Sequence, residues 1–423
     1  MPIPFSLIRV LARSGLARWW PRVRRRLGGS AAWLHLAGDR ALSLPLDDLM
    51  RFAEFWQVEG ADGIDLAAPA PQFDRGLSPQ RLSAGIRTHP PLDGLPTLRQ
   101  AVAEHIGTSI DPVDEITITA GATAAFHRVV DTFVNPGDRV VLLDPCSPMF
   151  PLSLRARRAR IRWLPTTCDA GRTRFPIELL RKTLPGAKLV VLANPNNPTG
   201  GVLTAEELDA LSWWSQKFDV LIYCDESFSG FGDALPRPAV LNSGTARRRT
   251  LRAGSLGVQG GAAGARVGWL AGDRDLLRLV RATAAVSQPF VDAASQNWAL
   301  AMLRNRAEFE SLRNAFARKR DYAVDRLRHA GFEPSPALSG YFLWLPVDRF
   351  EMTGRQFAER LLQKRQVAVT PGDVFSPSGE YAVRISLAVD DGRLREGLAR
   401  LAAFIESGNY SARPAPSELA AAV

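Results

Sequence analysis

Several stretches of this chain place glycine or polar residues where a strand gives way to a loop or helix. In Thr119-Ala120-Gly121-Ala122-Thr123-Ala124-Ala125 a strand end turns through Gly121 into a helix. The first backbone N–H groups of such a helix have no partner within it, and together with the positive end of the helix dipole they form an anion site suited to phosphate. The run Asn194-Pro195-Asn196-Asn197-Pro198-Thr199-Gly200 follows one apolar segment, and Asp225-Glu226 closes another. Both therefore fall at carboxyl edges of a parallel sheet, where such folds bind ligands. From there Asn197 can donate a hydrogen bond into the crevice and Asp225 can hold a negative charge, although both residue types also serve as turn and cap residues. The glycine-rich segment Gly254 to Gly264 lacks both the lysine of a P-loop and the strand-to-helix GxGxxG context of a dinucleotide fold.

The elements that position these residues are legible from Gly94 onward. Leu98, Ala101, Val102 and Ile106 recur at helical spacing behind Pro96, which suits a first-turn position. Strands are predicted at Ile116 to Thr119, Arg139 to Leu143, Ile161 to Leu164, Leu189 to Ala193, Val220 to Asp225, Thr250 to Ala253 and Val267 to Ala271. Several are uninterrupted apolar runs, as expected where helices cover both faces of a largely parallel sheet. Thr204 and Glu207 form a capping box, with Leu208 and Leu211 starting an apolar stripe behind it. From about Gln288 a long helical stretch runs through Arg326. Strands at Tyr341 to Leu345, Val367 to Thr370 and Tyr381 to Ser386 follow, and then a closing helix near Leu394 to Ile405. The reading is an α/β fold with an N-terminal arm over 1–60, a large unit over 61–290, a smaller α+β unit over 291–407 and a frayed tail over 408–423.

A chain of 423 residues, 46% of them hydrophobic, buries a sizeable core and divides into more than one domain. The formal charge of +10 favours solubility and anions without indicating nucleic acid. Cys146, Cys168 and Cys224 are too scattered for a disulfide framework or a zinc site, which points to a reducing cytoplasm. No apolar run approaches the roughly 20 residues that span a bilayer, and the start of the chain lacks a signal-peptide pattern. From Phe5 to Leu27, arginines alternate with Leu, Ile and Trp in a basic amphipathic pattern interrupted by Pro21. That pattern suits an arm packing on its own or a neighbouring subunit better than a membrane helix.

The segment from Ser255 to Trp269, with Gly261, Gly264 and Arg266 in register, resembles the active-site loop of the class I/II aminotransferases, which are fold type I enzymes dependent on pyridoxal phosphate (PLP). The resemblance runs from about Ile64 to about Ile405, and the asparagine-proline motif is its most specific part. It implies a PLP-transferase-like fold with a mostly parallel seven-stranded sheet, a homodimer, and an amino-acid-like or phosphorylated small-molecule substrate. It further implies that Gly121, Ala122 and Thr123 cradle the cofactor phosphate through the backbone, with Ser255 adding a hydroxyl and Arg266 a bidentate pair. Asn197 would contact the phenolic oxygen. Asp225 would pair with the ring nitrogen, keeping it protonated so that the ring serves as an electron sink. Arg384, in Val383-Arg384-Ile385-Ser386, matches the arginine that grips the substrate α-carboxylate.

Three departures from the family pattern concern the ring. Counting back from Arg266, Val258 falls at the cofactor-bearing lysine, and no lysine occurs between Lys217 and Lys319. Phe228 stands at the tyrosine that supports the phenolic oxygen, and Ser147 at the aromatic residue that stacks on the ring. His89 aligns loosely with the tyrosine that reaches a neighbouring subunit's phosphate. What remains is a phosphate cup, a partner for the ring nitrogen and a carboxylate clamp, with neither tether nor proton shuttle. Loss of a general acid or base typically costs about two to four orders of magnitude in rate. The expectation is a lysine-free protein that binds PLP, its amine form pyridoxamine phosphate (PMP) or a substrate adduct non-covalently, for an atypical step in amino-acid or secondary metabolism. The alternatives are a catalytically silent partner subunit and a fold reused for PLP-independent chemistry on a phosphorylated substrate.

Overall fold

The computed structural model describes residues 63–67, 89–107, 110–169, 172–231, 244–335 and 337–407. The amphipathic arm and the C-terminal tail read from the sequence lie outside these residues. The seven predicted strands form one sheet: β1 (Ile116–Thr119), β2 (Arg139–Asp144), β3 (Arg160–Pro165), β4 (Ala187–Ala193), β5 (Leu221–Asp225), β6 (Thr250–Ser255) and β7 (Gly268–Gly272), in the order β1-β7-β6-β5-β4-β2-β3. Neighbouring strands are parallel except β7, which runs antiparallel to both β6 and β1.

Successive strand residues face opposite sides, and here both sides are covered, which accounts for the apolar runs. Val140 and Leu142 bury with Phe126 and Val129 of helix Gly121–Phe133 and with Leu277 and Val280 of helix Arg274–Ser287. Their neighbours Val141 and Leu143 bury with Leu180, Leu208 and Leu211 on the other face. Local signals set the helix ends. Pro96 opens helix Pro96–Ile106, and Gly107 closes it in the left-handed region at φ 62°. Thr204 and Glu207 form the expected capping box of helix Ala205–Lys217. The single helical stretch expected from Gln288 to Arg326 is instead two helices. Asp292 caps Ala293–Arg304, and Asn305 caps Arg306–His329 through its side chain, because Asn and Asp bond to nearby backbone N–H groups and so favour helix starts over interiors.

The second unit is built on the antiparallel strands Phe342–Pro346, Ala382–Ser386 and Thr370–Pro371, packed with helices Arg306–His329, Gly354–Arg365 and Asp391–Glu406. Its seam with the large unit differs from the expected one at both ends. Ile64 and Asp65, expected to begin the large unit, pair with Val367 and Ala368, and Ile64 and Leu66 bury in the second unit's core. Residues from 291 to about 304, expected to open the small unit, instead pack Val291, Trp298 and Ala299 against Leu98, Ile116 and Trp269 of the large one. Helical periodicity alone does not reveal which core a helix joins. Among the described residues no helix is long and apolar enough to cross a membrane.

Candidate active site

The carboxyl ends of β1, β2, β4, β5 and β6 bring Gly121, Ser147, Asn197, Asp225 and Ser255 to one edge of the sheet. Helix Gly121–Phe133 starts directly after β1, and its N-cap residue Ala120 makes no side-chain capping bond. Arg266 lies across that start, donating from Nη2 to the Ala120 carbonyl at 3.2 Å and from Nη1 to the Ala263 carbonyl at 3.4 Å. Gly121, at φ +81°, has the Arg266 guanidinium so close that a Cβ there would meet Nη2 at 2.8 Å. Arg266 itself has φ 46°, a left-handed conformation that costs a side-chain-bearing residue about 1–3 kcal/mol and that clusters at ligand clamps. Helix N–H groups and an exposed guanidinium aimed at the same point make a receptor for a phosphate-like anion.

Ser255 ends β6, and its hydroxyl oxygen accepts from the Val258 N–H at 3.3 Å, capping the short helix Leu256–Gln259. This cap fixes the turn that carries Val258. The Val258 side chain is half-buried and packs against the second unit's hydrophobic core. Phe228 joins the same core, edge-on to Tyr341 and Phe342 at 5.5 and 5.3 Å, while Ser147 is half-buried at the end of β2. The loosely aligned His89 is exposed and stacks on Phe290 at 4.8 Å.

Asp225, the last residue of β5, is buried. Its Oδ1 accepts twice from Ser227, from the backbone N–H at 2.9 Å and from the hydroxyl at 2.5 Å. Burial pushes the carboxyl up to about 6; the Ser227 bonds oppose that shift and Glu226 adds to it. Near neutral pH, Asp225 is thus poised to hold a negative charge toward a cation or to share a proton with it.

Arg384, in strand Ala382–Ser386, is 2% exposed. It donates from Nη1 to Asn197 Oδ1 at 3.1 Å and from Nη2 to the Ala67 carbonyl at 3.1 Å and Thr370 Oγ1 at 3.4 Å, while Nε has no partner. The rings of Phe342 and Phe375 lie 4.0 and 4.9 Å from the guanidinium carbon. Burial pulls this guanidinium down to about 9 against the opposing influence of Tyr341 and Asp65, so it is still a cation at neutral pH. No carboxylate is among its hydrogen-bond partners. A buried charge not directly paired with a carboxylate is costly, and an arriving carboxylate relieves that cost. Asn197, with its oxygen committed to Arg384, keeps its amide N–H groups for the crevice.

Sequence reasoning missed the layer beneath these residues. Arg252 and Glu226 form a buried fork, Nε to Oε1 at 2.5 Å and Nη2 to Oε2 at 2.7 Å, and Gln259 Nε2 donates to the Glu226 carbonyl at 3.2 Å. An arginine inside the apolar run of β6 was the available signal. Ser227, which orients Asp225, had none beyond its adjacency.

No lysine side chain lies at this edge. All five lysines of the chain are described. Lys182 and Lys364 are exposed on helices Ile177–Thr183 and Gly354–Arg365, and Lys188 is exposed at the opposite, amino end of β4. Lys217 lies over the Trp213 and Trp214 rings, and Lys319 pairs with Asp391 at 3.1 Å. Burial pushes the thiols of Cys146 and Cys224 well up, which leaves them inert.

Comparison with known proteins places this fold in a family. Residues 66–401 match the family model for aminotransferase class I and II. The chain is 26% identical to the putative aminotransferase YugH of Bacillus subtilis over 77% of its own length and 85% of that protein. It is 28% identical to the LL-diaminopimelate aminotransferase of Dehalococcoides mccartyi over 75% and 83% of the two chains. Among solved structures, a double mutant of Thermus thermophilus aspartate aminotransferase superposes with a TM-score of 0.76 at 26% identity, covering 87% of this chain and 99% of that one. The N-succinyldiaminopimelate aminotransferase of Mycobacterium tuberculosis shares the fold, with a TM-score of 0.77 at 24% identity over 87% and 99%. The carboxyl edge that gathers Asn197, Asp225 and Arg266, with Arg384 facing it from the second unit, is thus set in the frame of a known enzyme family, and the chain belongs to the class I and II aminotransferases.

Proposed function

We propose that this chain is a lysine-free member of its family that holds PLP, PMP or a substrate adduct without a covalent bond, and that it acts on an amino-acid-like carboxylate in biosynthetic metabolism. The observation that carries the reading is the combination of a buried Arg384 with no carboxylate hydrogen-bonded to it and the Arg266–Gly121 cup with an aliphatic Val258 in place of an amine. The residues fit the cofactor. The uncapped N–H groups of Ala122 and Thr123, the Ser255 hydroxyl and the Arg266 guanidinium drawn close over Gly121 suit its phosphate. Asp225 suits a protonated ring nitrogen, and the free amide of Asn197 suits the phenolic oxygen. When bound, the ring supplies an electron sink. Arg384 takes the α-carboxylate and Asn197 braces it. Without an amine at 258, and with Phe228 directed into the second unit's core, no side chain at the edge moves a proton to or from the substrate carbon as a lysine does. Ordinary transamination is correspondingly slow.

Leu279 and Val286, two turns apart on one face of helix Arg274–Ser287, are 53% and 88% exposed, which supports a homodimer covering that face. The compartment we infer is the cytoplasm, in keeping with the scattered cysteines.

The test is to equilibrate the purified chain with PLP or PMP and measure its mass in two ways. Native spectra should gain one cofactor, and denatured spectra after borohydride reduction should gain nothing. Failure to retain either compound, or a borohydride-fixed adduct on any residue, refutes the proposal. The aliphatic Val258, with Phe228 and Ser147, also supports a second reading, a silent homologue serving as a partner subunit. Turnover of amino acids by the isolated chain rules that out.

A further inference from the structure

A cavity of about 380 Å³ lies between the two units on the outer side of the Arg384 pocket. One wall is Pro151 and Arg155 of helix Met149–Ala156 with Trp163 of edge strand β3; the other is Arg355, Asp373 and Phe375 of the second unit. Its volume is within the range of small-molecule sites, about 300–1,000 Å³. Arg355 is paired with Asp373 at 2.9 Å, whereas the exposed Arg155 side chain has no hydrogen bond or ion pair among the described residues. The charged lining therefore carries one uncompensated positive charge beside the apolar surfaces of Trp163, Val374 and Pro377. Val374 also lines this wall, and its buried neighbour Phe375 ties the cavity to the site behind it, lying 4.9 Å from the Arg384 guanidinium carbon.

We propose that this interdomain cavity binds a small aromatic monocarboxylate, with the carboxylate on Arg155 and the ring between Trp163 and Val374. Such a ligand touches both units at once and holds them at their present spacing. It therefore acts as an effector of the cleft, distinct from the substrate held by Arg384. The inference does not depend on how, or whether, a B6 compound is bound.

The probe is 4-fluorophenylacetate, followed by fluorine NMR line broadening on the full chain without cofactor. Saturable binding below about 10 mM is expected, together with a rise in melting temperature that grows with probe concentration. Arg155→Ala, at an exposed position, should weaken binding about tenfold, the size of a lost charge-assisted hydrogen bond. The neutral 4-fluorobenzyl alcohol should bind at least as weakly to the wild-type chain, and Arg384→Gln should leave affinity for the acid within about twofold. Absence of saturable binding overturns the proposal. So does loss of binding in Arg384→Gln with retention in Arg155→Ala, which would place the probe in the carboxylate clamp.

Discussion

Asp225→Asn separates the cost of the buried carboxylate from its use. In the folded chain this carboxyl titrates at about 6 against an ordinary value of 3.8, because burial disfavours its charged form. The folded state therefore holds the proton more tightly than the unfolded state does. Its contribution to stability is full below pH 3.8 and is lost as the pH rises through about 6. The gap of about two pH units corresponds to ~3 kcal/mol of destabilisation at pH 8. Asparagine keeps an oxygen to accept both Ser227 bonds while removing the charge, and its new amide N–H groups return part of the gain unless water meets them. The expected result for the cofactor-free protein is a stability gain of about 1–3 kcal/mol at pH 8 in urea unfolding, shrinking to nothing near pH 4. The same variant should retain PMP at least tenfold less well, the loss expected of a charge-assisted hydrogen bond. A variant equally destabilised at both pH values would show that Asp225 is structural and that its burial stores nothing for a ligand.

Other substitutions address other parts of the site. Gly121→Ala places a Cβ 2.8 Å from Arg266 Nη2 at φ +81°; it should cost about 1–2 kcal/mol in urea unfolding and weaken inorganic phosphate binding measured by calorimetry at least tenfold. Arg384→Gln should abolish the thermal stabilisation given by succinate without altering that given by phosphate, a selectivity that differential scanning fluorimetry reads directly. Val258→Lys should acquire a borohydride-fixable cofactor, yet turn over at least tenfold more slowly than the triple variant that adds Phe228→Tyr and Ser147→Trp, as measured by keto-acid formation. Equal rates would show that the ring needs neither supporting residue.

Much of the large unit was legible because its signals are local. A continuous apolar run such as Leu189-Val190-Val191-Leu192-Ala193 is a buried parallel strand whatever its neighbours are. The polar residues that end such runs fall at the functional edge without further information, which is why Asn197 and Asp225 could be singled out. Ser255, Arg266 and Val258 were placed by the resemblance of one loop to that of the family. What escaped are contacts closed over long chain separations or made by ordinary residues. Arg384 donates to Ala67 across 317 positions and Ile64 pairs with Val367, and neither leaves a periodic trace. The Ser227 hydroxyl on Asp225 is equally unremarkable as sequence. The helix Ala293–Arg304 shows the limit from the other side: its period was recognised, but its membership in the large unit depends on Trp298 and Ala299 joining the cluster of Leu98, Ile116 and Trp269, which no pattern within the helix encodes.

The two buried charges bear on whether such a site still has an occupant. Asp225 and Arg384 are both held mainly by neutral hydrogen-bond donors or acceptors, and burial disfavours the charged form of each. A scaffold with no ligand to bind would be more stable with apolar side chains of similar volume at both positions. A molecule with a cationic ring nitrogen at one end and a carboxylate at the other pairs both charges at once and recovers the cost of burying them. Its phosphate meanwhile meets Arg266 and the start of helix Gly121–Phe133. Such an occupant stabilises the fold by mass action, by about 2.7 kcal/mol at a hundred times its dissociation constant. It needs no amine at position 258 to do so. On the proposed function, an aliphatic residue at 258 alters how the occupant exchanges and how protons move on it, while the electrostatic demand for an occupant is undiminished.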